Sequence, residues 1–257
     1  ENLIQAAAAR GLHAEAAFAA GGDEALTIAL TPARATASPL FEAIPLRQTT
    51  RAEFDGKALT SAELQLLEKA AAGTGVRVLL LTARSALEQV LDFVIAGNTA
   101  QMGEPAFVDE LRDWIRFNGA HAARSGDGLF SGSSGNPSMP EWLGRRMFDL
   151  FFTAAAENDK YARQIRSAAG IAVFVSERDD KPSWIEAGRA FERFALQAAA
   201  LGIRHAHLNQ PVEVSSLRPA FAAALGLSGG RPDLVVRFGR GTQMPRSLRR
   251  PLEAVLL

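Results

Sequence analysis

The chain has no cysteine, which excludes a disulfide framework, a thiolate nucleophile and a Cys-ligated metal. Neither sign of charge is in surplus: 28 Lys and Arg balance 28 Asp and Glu over 257 residues. A neutral chain has no overall field to draw it to nucleic acid or to an anionic membrane, so an anionic partner must be met at a local site. No apolar run approaches the roughly 20 uncharged residues of a bilayer span, because Arg, Glu or Gln interrupts the richest stretches. What remains, with 47% apolar and 22% charged residues, is the composition of a soluble globular protein, expected in the cytoplasm. The opening residues ENLIQAAAARG already read as the middle of an amphipathic helix with no cap or leader ahead of them, so the natural chain is expected to start earlier.

The hydrophobic pattern predicts an α+β chain with several helices and a modest sheet. Helix is expected over about 1–10 and strand over 24–30, followed by a proline-punctuated loop to Pro45. Thr60 and Glu63 have capping-box spacing and open the next helix. The runs VRVLLLT (76–82) and GIAVFVS (170–176) read as strands covered on both faces. Helices are predicted at 84–97, 105–117, 141–169, 183–202 and 215–225, and further strands at 204–208 and 233–239. Gly188 and its neighbouring alanines suggest a face where another backbone approaches closely. Residues 118–140, dense in Gly, Ser and Pro, are longer than an ordinary loop and read as either a linker or a functional flap.

An internal similarity joins residues 1–18 to 192–209: both begin with Glu, share three alanines, and place Gly eleventh with an aliphatic residue next. A strand candidate follows each copy, and only the second, LVVRFGRG, carries arginines, Arg237 and Arg240. Two related modules would explain this, as would the chance likeness of Ala-rich helices.

Arg47 and Arg51 bracket a Thr-Thr pair in RQTTR, and Arg246, Arg249 and Arg250 cluster near the other end. Guanidinium groups converging from separate segments suit a phosphate. Taken singly, either cluster reads better as surface arginines with solvated heads.

The order RQTTRAEF, LTSAEL, a buried strand, a helix ending ALGI, the strand LVVRFG and finally RRPLEAV resembles the FMN-binding nitroreductase family over residues 47–257. The flap and the internal similarity are more particularly similar to the Acg-type branch, in which two nitroreductase-like halves of one chain imitate a homodimer around one flavin. The resemblance implies a nitroreductase-like α+β fold, a central mostly antiparallel sheet flanked by helices, in a pseudo-dimeric two-module chain. Residues 1–40 would be the remainder of a degenerate first module and 41–257 a second module with its flap at 118–140. It also implies that Arg47, Gln48, Thr49 and Arg51 bind FMN, with Arg249 at the late phosphate position and Arg246 its helper. Asn209 and Gln210, in LNQP, would approach flavin N5. The chain departs from the family in running straight from helix to strand through LLEKAAAGTGVRVLLLT, without the usual PSSxNxQPW-like segment; a first module would have to supply it.

The implied activity is hydride transfer through FMN, with NAD(P)H as reductant and a small-molecule substrate. A flap carrying Leu129, Phe130, Met139 and Trp142 over the ring would instead make a non-catalytic flavin-sequestering protein. A module that has lost the cofactor is a third reading. A further homodimer is compatible with all three, and no catalytic residue is singled out. His205 and His207 share one face of a strand without a third ligand nearby, so no metal is expected. The flap glycines lack the GK[ST] ending of a P-loop, and His121 has no assigned role.

Overall fold

The computed structural model describes residues 1–18, 26–247 and 250–256. Its centre is an antiparallel sheet in the order β3 (Val76–Leu81), β6 (Gly170–Ser176), β8 (Arg231–Gly239), β7 (Arg204–His207). All seven residues of β6 are buried, as expected of a strand whose one polar residue, Ser176, stands at its end and which has a layer on each face. Alternate side chains divide between two cores. Ala172 and Phe174 pack with Leu67, Phe194 and Phe238 beneath α3 (Ser61–Ala71) and α9 (Lys181–Ala200). Ile171, Val173 and Val175 pack with Leu87, Val94, Ile165 and Leu208 beneath α4 (Arg84–Met102) and α8 (Ala154–Arg166).

Local chemistry sets where these helices begin. The Thr60 hydroxyl accepts from Glu63 N–H at 3.3 Å, and the Glu63 carboxylate accepts from Thr60 N–H at 2.8 Å, completing the capping box of α3. Asp180 caps α9 by accepting from Ser183 N–H at 2.9 Å. Gly202 ends that segment with φ +68°, a conformation a side chain would oppose. A Cβ at Gly188 would meet nothing within 4 Å, so the close approach expected there is absent. The buried face of α9 is carried by Ala187, Ala190 and Phe194 instead. A close approach does exist at Gly97 of α4, where a Cβ would fall 2.7 Å from Gln210 Cβ.

At the amino end, α1 (Asn2–Ala9) leads through Gly11, φ +74°, into β1 (Leu12–Phe18), which pairs antiparallel with β2 (Leu26–Pro32). The strand expected at 24–30 therefore begins at Leu26 among the described residues, and β1 was not predicted. The loop expected before Pro45 holds a short helix, α2 (Pro39–Ala43), capped by Ser38. The helix expected over 105–117 ends earlier, as α5 (Pro105–Trp114).

Residues 118–140 are not a structureless linker. They form α6 (Gly119–Ser125), a strand β5 (Leu129–Phe130) parallel to β4 (Ile115–Arg116), and a 3-10 turn, Ser131–Ser134. The Ser131 hydroxyl donates to Phe117 O at 3.1 Å, and Asn118 Nδ2 donates to Met139 O at 3.1 Å, tying both ends down. The single helix expected over 141–169 is two, α7 (Glu141–Phe151) and α8, because Thr153 accepts from Ala156 N–H and starts a new cap. The helix expected over 215–225 is the shorter α11 (Arg218–Ala224), and a one-turn helix that was not expected, α10 (Gln210–Glu213), precedes it. No helix among the described residues is long and apolar enough to cross a membrane.

Candidate anion-binding site

Residues 47–56 run as an extended strap whose start lies beside β7. Thr49 bridges His205 in parallel, and Thr50 N–H donates to His205 O at 2.8 Å, so the strap extends the sheet past its edge strand β7. Three successive strap carbonyls are held by side chains from β8 and α8. Arg237 Nη2 donates to Thr50 O at 3.2 Å and to Ala52 O at 2.9 Å, while Gln164 Nε2 donates to Arg51 O at 2.5 Å. Beyond them, Phe54 N–H donates to Ser167 Oγ at 3.1 Å, and Asp55 N–H donates to Arg240 O at 2.7 Å.

The carboxyl-terminal segment returns to the start of this strap. Gln48 Nε2 donates to Met244 O and Pro245 O, both at 2.9 Å, and the Arg246 guanidinium donates to Pro45 O and, at 3.3 Å, to Leu46 O. Between the two segments lies a cavity of about 150 Å³ lined by Arg47, Gln48, Thr49, Arg51, Ser133, Arg246 and Ser247. Arg47 Nε is ion-paired to Glu192 Oε1 at 3.0 Å. Three guanidinium groups against that one carboxylate leave the cavity positively charged. Hydroxyl groups of Thr49, Ser133 and Ser247 line the same space, and the buried Gln48 Oε1 has no hydrogen-bond partner among the described residues. Guanidinium and hydroxyl donors around a small volume suit a phosphate monoester. The volume is too small for a tricyclic ring.

Arg47, Gln48, Thr49, Arg51 and Arg246 thus surround one cavity, whereas Arg249 lies outside the described residues. Gln48 and Arg246 spend donors on strapping the two segments together. Asn209 and Gln210 sit elsewhere, at the start of α10. The Asn209 side-chain oxygen accepts from Val235 N–H at 3.0 Å, which fixes the turn between β7 and α10. Gln210 is buried, reaches the Tyr161 phenol through its side chain, and leaves Oε1 without a partner.

Burial, reinforced by the Glu157 carboxylate, pushes Tyr161 up to about 12, with the Gln210 contact and the Arg51 charge opposing. It is therefore a neutral phenol that can donate or accept near Gln210. Burial beside Arg47 pushes His205 down to about 3, and His207 is lowered for the same reason with Arg51 contributing. Both imidazoles are neutral at physiological pH. No group of three or more His, Asp or Glu among the described residues is placed to hold a metal ion.

The sequence reading missed Tyr161, Gln164 and the structural use of Arg237. Tyr161 carried one available signal, being the only tyrosine in the chain. Arg237, noted in the sequence only as one of two arginines in the strand LVVRFGRG, braces the strap through its two carbonyl contacts. Arg240 pairs with Glu63 at 2.5 Å.

No protein-family model matches the chain. Two curated Mycobacterium tuberculosis proteins, from strains CDC 1551 / Oshkosh and H37Rv, carry provisional NAD(P)H nitroreductase names. Each is 26% identical over 221 residues, covering 84% of this chain. The chain spans 61% of their length. Among solved structures, a nitroreductase with bound FMN from Bacteroides fragilis is similar with a TM-score of 0.52 at 14% identity, covering 86% of this chain and 98% of that one. An FMN-dependent nitroreductase from Mycobacterium smegmatis, in complex with NADPH, gives a TM-score of 0.51 at 12% identity, covering 85% and 97%. An iodotyrosine deiodinase bound to FMN and 3-iodo-L-tyrosine gives 0.53 at 13% identity, covering 82% and 95%. An antiparallel sheet between two helical layers, matched over nearly the whole of each solved chain, gives this protein the nitroreductase-like α+β fold.

Proposed function

We propose that the chain is an FMN-binding, nitroreductase-like oxidoreductase of the cytoplasm, reduced by NAD(P)H and acting on a small-molecule substrate. The observation that carries this reading is the convergence of Arg47, Thr49 and Arg51 with Arg246, nearly 200 positions away, on one positively charged cavity. Arg47, Arg51 and Arg246 would hold the FMN phosphate, Arg249 would join them, and Thr49 and the serines would bond its remaining oxygens. Asn209 and Gln210 would face the ring, where a fixed donor stabilises charge without reorganising. The flavin supplies hydride chemistry, and the protein supplies position and field.

The reading extends to an Acg-type double-module chain, with 1–40 the remainder of a first module and 41–257 the second. Its support is that both similar segments run helix, left-handed Gly, strand: α1–Gly11–β1 and α9–Gly202–β7. Within such a chain the two modules would form the pseudo-dimer, and a further homodimer would add a second flavin site.

A flavin-sequestering role is the second reading. It is favoured by the flap, whose buried Ser133 lines the cavity and whose 3-10 turn is packed rather than loose. Titration with FMN followed by anaerobic addition of NADH or NADPH separates the two. Bleaching by a nicotinamide supports the oxidoreductase, bleaching by dithionite alone supports sequestration, and no binding by the full-length protein removes both. Arg47→Ala is expected to weaken FMN binding by about 1.5–3 kcal/mol through loss of a charged hydrogen bond; unchanged affinity would count against the site.

A further inference from the structure

Arg237 is the largest fully buried side chain of the described residues, with 0% exposure. No carboxylate pairs with it among those residues, and its Nε and Nη1 have no hydrogen-bond partner. Its contacts are the carbonyls of Thr50 and Ala52, on either side of Arg51, and the face of Phe54, 4.3 Å from the ring centroid. A buried, unpaired cation is costly, and a well-packed apolar residue would serve stability as well or better. Burial pushes Arg237 down to about 9, with the charge of Arg51 acting in the same direction, so it keeps its proton at neutral pH. The two guanidinium groups repel, and a fold selected for stability alone has no reason to hold them together. An anion beside Arg51 gives it one.

We propose that Arg237 is the positioning residue of the cofactor site: its Nη2 group fixes the backbone on both sides of Arg51, and its charge adds to the field that favours an anionic ligand. This rests on the FMN reading. The role is that of a positioning residue, because Arg237 is not among the side chains lining the cavity. Geometry matters as well as charge, since the carbonyls on either side of Arg51 are both met by the N–H bonds of one nitrogen, Nη2, which the guanidinium plane holds in a fixed direction.

The test compares wild type, Arg237→Lys and Arg237→Met by FMN titration, by the midpoint potential of the bound flavin, and by amide exchange of residues 50–56 in the FMN-free protein. Arg237→Met is expected to weaken FMN at least about tenfold, as loss of charged hydrogen bonds does. It should also shift the potential to more negative values and speed exchange along the strap. Arg237→Lys keeps the charge without the planar guanidinium that directs Nη2, so its potential should stay near wild type while affinity falls part of the way. Unchanged affinity and potential in Arg237→Met, with faster exchange alone, would reduce the residue to a structural brace and overturn the proposal. Should Arg237→Met not fold, a wild-type affinity in Arg237→Lys overturns it equally. If wild type itself binds no FMN, the functional reading fails first, and the exchange data alone then decide whether Arg237 holds the strap.

Discussion

Replacing Gly97 by Ala tests whether the turn carrying Gln210 is built against a bare backbone. An added Cβ would lie 2.7 Å from Gln210 Cβ, 2.8 Å from its carbonyl oxygen and 2.9 Å from its carbonyl carbon. Ordinary carbon contacts sit at roughly 3.5–4.0 Å, so α10 must retreat by about 1 Å. Two of the three obstructing atoms are main-chain, and no rotamer change relieves them. The retreat would also stretch the Asn209 to Val235 hydrogen bond, now 3.0 Å. Against this, Ala in place of Gly favours a helix interior by roughly 1 kcal/mol. Overpacking costs about 1–3 kcal/mol, and with a hydrogen bond at risk as well the clash wins. We expect a net loss of about 1–2 kcal/mol. Gly188→Ala is the matched control: it lies in α9 with open space around the added methyl, and should gain about 0.5–1 kcal/mol. Urea unfolding of both variants at constant m reads the two signs directly. A Gly97→Ala protein as stable as Gly188→Ala would refute the close approach.

His205 predicts an acid limb. Because its folded pKa is pushed down to about 3, the unfolded chain takes up the proton first, and stability falls by about 1.4 kcal/mol per pH unit from pH ~6.5 down toward that value. His205→Phe should flatten that limb in pH-dependent urea unfolding, and an unaltered slope would reject the buried neutral imidazole. Glu63 acts at lower pH: with its carboxyl held down to about 2 by the Arg240 and Thr60 hydrogen bonds, its contribution is complete above about pH 4.5 and is lost as the pH falls through the folded value. Glu63→Gln should lack that acid-sensitive component and show a weaker cap of α3 at neutral pH. The single tyrosine makes its own titration clean, and the ultraviolet difference spectrum of the native protein should show no phenolate until about pH 12. Ionisation near pH 10 before unfolding would contradict its burial.

What the sequence disclosed followed the strength of local signals. β6 was legible because GIAVFVS has no polar interruption and both its faces are covered. The capping box of α3 and the stop at Gly202 needed only local chemistry. β1 escaped because its alternation, Leu12, Ala14, Ala16 and Phe18 turned one way, is carried mostly by alanine, a weak strand former. The break between α7 and α8 escaped because Thr153 sits inside an unbroken amphipathic pattern, FFTAAAEN, that either one helix or two would satisfy. Flap residues looked loose by composition, yet hydrogen bonds that close the segment on itself, Ser131 to Phe117 and Asn118 to Met139, order them. For the candidate site, charge and spacing in RQTTR marked a segment that lines the cavity. What Arg237, Gln164 and Tyr161 do depends on contacts separated by 100 residues or more in two of the three cases, and no local pattern encodes them.

The strap beside β7 carries a liability. By lying along that strand it occupies hydrogen-bonding positions that would otherwise face solvent at the end of the sheet, and bare strand margins recruit other chains. Whatever loosens residues 47–52 therefore opens a template for self-association, so loss of the anion site should register as turbidity in a protein store before it registers as unfolding.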